Sequence, residues 1–84
     1  MKSHALAAFW KCYEQLPQHV QKLADKNFAL LNSNPRHPSL GLRKKGRVHT
    51  VEVGRSYRAI ARERNGEYYW FWIGTHEAYN NFKF

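Results

Sequence analysis

"YRAIARERNGEYYWFWIGTH", Tyr57 to His76, is the stretch whose reading decides the fold. Asn65-Gly66 at its centre is a two-residue hairpin signal. Before it, Tyr57, Ala59 and Ala61 alternate with Arg58, Ile60, Arg62 and Arg64, a small-and-aromatic face opposite a basic one. After it, Glu67 to Gly74 is apolar on both faces, which suits a strand in the sheet interior. Gly74 is read as the end of that strand, where His76 overlooks the basic face.

Upstream, "SLGLRKKG" predicts a short first strand, and Gly46 turns the chain into "RVHTVEV". Gly54-Arg55-Ser56 marks the next turn. Before the strands, Leu6, Phe9, Trp10, Tyr13 and Leu16 recur at helical spacing over Ala5 to Leu16. Pro17 ends that helix and suits the first turn of a second, whose stripe is Val20, Leu23, Ala24, Phe28 and Leu31. Asn32-Ser33-Asn34-Pro35 stops it, and His37-Pro38-Ser39 continues as an extended connection. The expected class is α+β, an N-terminal helical hairpin on one face of a small three- to four-stranded antiparallel sheet. With 84 residues there is room for one core, so residues 1–84 read as a single domain.

Fourteen Lys and Arg against six Asp and Glu give a net charge of +8. All seven Arg lie between Arg36 and Arg64, and Lys44 and Lys45 join them. Only Glu52 and Glu63 oppose them, so this third of the chain carries +7 of the +8. Such a field attracts a polyanion, above all nucleic acid, or an acidic protein partner, and it also serves as a solvated face that keeps the chain in solution. A lone Cys12 forms no internal bridge, and no run of roughly 18 apolar residues occurs. The expectation is a cytoplasmic protein with no membrane partner and no small-molecule substrate.

His76-Glu77 resembles the start of a zinc-protease helix, but Asn80 stands where the second His is required. The six acids show no metal-ligand spacing, and neither a phosphate-binding glycine loop nor a nucleophile elbow is present, so no metal and no cofactor are expected. What remains suits metal-free phosphodiester cleavage, which needs a base, an acid and cations for the developing charge. Arg58, His76 and Tyr79 are the candidate catalytic residues. Arg43, Lys44, Lys45, Arg47, Arg55 and Arg62 are the candidate RNA-binding residues. Each has a structural alternative: His76 capping a helical turn, Arg58 pairing with Glu52 or Glu63, Tyr79 packing. His49 reads as structural and His37 as a loop contact. Trp70 and Trp72 are read as core rather than as a nucleobase platform.

The order "LNSNPRHPSL", a basic hairpin, "YRAI" and "WFWIGTHEAY" resembles the RelE/ParE superfamily of bacterial toxins, in particular short HigB-like or plasmid-maintenance homologues. The resemblance runs from about Ala5 to Phe82. It implies an enzyme that cleaves mRNA in the ribosomal A site without metal or cofactor, held by a cognate antitoxin. Arg58 then matches the arginine used on the scissile phosphate, and His76 the histidine after the last strand. Tyr79 lies near the C-terminal aromatic of other members, and Lys44, Lys45 and Arg47 correspond to the basic hairpin. Such toxins usually begin with a strand, for which "MKSH" leaves little room. The resemblance also implies two alternatives, a non-enzymatic ParE-like inhibitor of DNA gyrase and an inactive RNA- or protein-binding module. Glu52 or a lysine remains an alternative base.

Overall fold

In the computed structural model, which describes residues 2–82, the chain runs β1 (Ser3–Ala5), α1 (Ala7–Glu14), α2 (Gln18–Ser33), a 3-10 turn (Pro38–Leu40), β2 (Arg43–Lys45), β3 (Val48–Val53), β4 (Tyr57–Arg64), β5 (Glu67–Thr75) and α3 (His76–Asn80). Five strands form one sheet in the order β1-β5-β4-β3-β2. The α+β class stands, with two corrections. The sheet has five strands rather than three or four, and it is mixed, because β1 pairs with β5 in parallel while every other pair is antiparallel.

β1 has only three residues, too few to show an alternating pattern. Long-range hydrogen bonds hold it: Tyr68 N donates to Lys2 O (3.0 Å), Leu6 N to Trp70 O (2.9 Å), and Ser3 N to Asn32 Oδ1 of α2 (2.9 Å). Its presence makes β5 an interior strand. The helical hairpin packs on the sheet with α1 against β5 and α2 reaching from β1 to β3.

Both helices are amphipathic; the first is shorter than its apolar stripe suggested, and the second, Gln18–Ser33, extends past both ends of its stripe. The first begins at Ala7, since Ala5 belongs to β1 and Leu6 is the cap. Pro17 caps α2, its carbonyl accepting from Val20 N and Gln21 N (3.0 Å each). Phe9, Val20, Ala24 and Leu31 bury against Val51, Val53, Ala59, Ala61, Trp70 and Ile73 of the sheet. Leu23 lies outside this core, more than a third exposed.

"SLGLRKKG" divides. Pro38 to Leu40 form the 3-10 turn with Leu40 fully buried, and only Arg43–Lys45 extend. The His37 side chain accepts from Ser39 N (3.2 Å), which makes it the cap of that turn. Asn65 and Gly66 both have positive φ, 53° and 78°, the pair of left-handed residues required by a type I′ hairpin. No helix among the described residues is long and apolar enough to cross a membrane.

Candidate functional site

Opposite the helices, alternation in β4 puts Arg58, Ile60 and Arg62 on the open face. Arg58 stands across from Glu52 on β3 and from Gly74 on β5. The chain does not stop at Gly74; it remains extended to Thr75 and then turns into α3. Thr75 caps this helix, its Oγ1 accepting from Ala78 N (3.1 Å), and His76 N donates to Ser56 O in the β3–β4 turn (2.8 Å). Capping therefore falls to Thr75, which leaves the His76 ring to other partners.

Those contacts turn α3 back onto the open face. Tyr79 buries on Val48 and Ile60, with 5% of its surface exposed. The Arg58 guanidinium lies 4.9 Å from the Tyr79 ring centroid, and Lys45 Nζ lies 5.6 Å from it. Arg58 Nε donates to His76 Nε2 (2.8 Å), and its Nη2 donates to Glu52 Oε1 (3.3 Å). A His nitrogen that accepts carries no proton, so the neutral His76 ring bears its hydrogen on Nδ1. Arg58 is thus held on three sides, by an imidazole, a carboxylate and an aromatic face, with its side chain 14% exposed.

Arg43, Lys44, Lys45, Thr50, Arg58, His76, Tyr79 and Asn80 line one depression of about 300 Å³. All three catalytic candidates and three of the RNA-binding candidates meet there. The other three do not: Arg47 sits in the β2–β3 turn, Arg55 in the β3–β4 turn, and Arg62 farther along β4 over the Phe71 ring (5.5 Å). Lys44 lies at the rim, but it faces His49 across the strand pair, and the helix side is where its charge is felt. There burial first, and Lys44 second, lower the His49 pKa, against the opposing pull of Glu63. Thr50 and Asn80 carried no signal of their own in sequence; β-register and the path of α3 bring them in.

The family model for the ParE-like toxin domain matches residues 18–81. The chain belongs to this family. Comparison with curated proteins finds no match. Among solved structures, the ParE-like chain is similar to a chain of the RelB–RelE antitoxin–toxin complex from Methanococcus jannaschii, with TM-score 0.74 and 18% identity over 95% of this chain and 99% of that one. It is also similar to YafQ from E. coli, with TM-score 0.71 and 13% identity over 93% and 96% of the two chains. The YoeB/ParE toxin from Agrobacterium tumefaciens gives TM-score 0.69 and 14% identity over 90% and 99%. At such identities the likeness is one of fold, that of the RelE/ParE toxins of toxin–antitoxin systems.

Proposed function

We propose that residues 1–84 act as one toxin domain, a metal-independent, ribosome-dependent endoribonuclease that cleaves mRNA in the cytoplasm. The observation that carries the reading is the Arg58–His76 hydrogen bond at the floor of a basic depression. A guanidinium fitted to phosphate oxygens stands beside an imidazole whose Nε2 lone pair is already the acceptor. When a phosphodiester enters, Arg58 turns its N–H groups to the phosphoryl oxygens and releases the lone pair. His76 Nε2 then takes the proton of the 2′-hydroxyl, the 2′-oxygen attacks phosphorus, and the P–O5′ bond breaks. Tyr79, beside both cations, supplies the proton to the departing 5′-oxygen. The products are a 2′,3′-cyclic phosphate and a 5′-hydroxyl. Glu52 holds the Arg58 fork in place, and Arg43, Lys44 and Lys45, with Arg47, Arg55 and Arg62 farther out, attract the RNA backbone.

The partner that silences the site is a cognate antitoxin covering the basic surface, as the antitoxin in the M. jannaschii complex accompanies its toxin. The experiment is induction of the chain alone, with the 5′ ends of cellular mRNAs mapped before and after. New cuts inside translated codons that disappear with His76→Ala support the nuclease. The ParE-like family match favours one other reading, inhibition of DNA gyrase. Arrested growth with intact mRNA and blocked supercoiling would support that reading and refute the first.

A further inference from the structure

The open face of β5 carries aromatic side chains that the cleavage chemistry does not use. Ile60 pairs with Trp72 but Ala61 pairs with Trp70, so Phe71 is an extra residue in a β-bulge. The bulge divides two tryptophans that simple alternation would put on one face. Trp70 is 2% exposed in the core beneath the helices, whereas Trp72 packs with Phe71 against Ile60 and Tyr79 on the open face. The sequence expectation that both are core therefore holds for Trp70 alone.

Trp72 lies over Gly74, the residue facing Arg58 across the strands, and meets the Phe82 ring edge-on with centroids 4.8 Å apart. Next along the sheet comes Phe71, with the Arg62 guanidinium 5.5 Å from its centroid. Beyond it Tyr69 faces Arg62 and stacks on His4 at 4.9 Å and 20°. Half-buried rings and an exposed arginine thus run outward from the Arg58–His76 pair. The four residue steps of β4 from Arg58 to Arg62 cover about 13 Å.

We propose that Phe71 and Tyr69 form a stacking track for the unpaired bases of single-stranded RNA next to the cleavage site, with Arg62 holding a phosphate beside it and Trp72 packing the end of the track nearest Arg58. The proposal rests on the nuclease reading for its substrate. Rings supply sequence-tolerant contact with base faces, while the arginines supply charge complementary to the backbone. On binding, Arg62 moves from the Phe71 ring to a phosphate and uncovers the ring for a base. About two or three nucleotides fit such a sheet surface.

The test uses the full chain and a fluorescent single-stranded RNA whose 2′-oxygens are methylated, so that binding is read apart from cleavage. Tyr69→Ala and Phe71→Leu should each weaken binding roughly 5- to 150-fold without changing its salt dependence. Arg62→Gln should reduce the slope of log K against log salt by about 0.7. Phe71→Tyr, which keeps the ring, should bind like the parent and exclude a folding defect as the cause. A perfectly paired duplex should be insensitive to Phe71→Leu. The proposal is overturned if the parent shows no saturable RNA binding, or if folded Tyr69→Ala and Phe71→Leu bind as the parent does. Ring-dependent binding without mRNA cleavage on induction would refute the nuclease and leave the track standing. Cleavage without ring dependence would refute the track alone.

Discussion

The Trp72 indole occupies the space that a side chain at Gly74 would need: a β-carbon there would lie 2.5 Å from Trp72 Cζ2 and 2.8 Å from Cη2. Gly74, the next-to-last residue of β5, is therefore a packing requirement and not a turn. Gly74→Ala must displace a rigid ring next to Arg58, with an expected cost of about 1–3 kcal/mol. A urea midpoint unchanged from the parent's would show that the indole moves freely.

Gly66 makes the contrasting case. Nothing lies within 4 Å of a β-carbon built there, but its φ is +78°. Gly66→Ala should cost about 1–2 kcal/mol through backbone strain alone. Gly66→Asn, a residue that tolerates this region, should recover part of the loss in the same denaturation series.

Asn32 ties the end of α2 to the first strand by accepting from Ser3 N. Asn32→Ala should cost about 1 kcal/mol and speed amide exchange at Ser3 and Tyr68, whose backbone groups secure β1. Loss of stability with unchanged exchange at those amides would place the effect elsewhere.

His49 controls a pH dependence. Burial lowers its folded pKa below the usual 6.5, with Glu63 3.6 Å away opposing the shift. In the window between the lowered folded value and about 6.5 the unfolded chain binds the proton and the folded chain does not, so stability rises with pH there. It is lost as pH falls through the folded pKa. His49→Gln should flatten urea midpoints across that window; an unaltered slope would assign the dependence to other groups.

Arg58→Ala and His76→Ala should each lower cleavage by about 10²- to 10³-fold, and the double variant should lose less than the product of the two. Their effect on folding should be small compared with that of a core change, because the Glu52 partner is half-exposed. Single-turnover cleavage of a ribosome-bound message measures the first, and circular dichroism the second. Fully independent losses would argue against Arg58 and His76 acting as one unit.

Local signals were legible wherever the deciding interactions fall within a few residues. Helical spacing from Leu6 to Leu31 marked the helical hairpin, Asn65-Gly66 marked the turn between β4 and β5, and strict alternation put Arg58 and Arg62 opposite Ala59 and Ala61. The basic field also followed from composition and placement. By itself, then, the sequence determined the α+β class, the basic face and the chemical types on it. Tertiary structure alone decided that residues 3–5 close the sheet in parallel against 68–70, because a three-residue strand has no pattern to read. It also decided that Trp70 is core and Trp72 is not, since one bulged residue reverses the side on which every later side chain falls. The Arg58–His76 contact belongs here too: it joins positions 18 apart through two neighbouring strands and a capped turn, a distance no local preference spans.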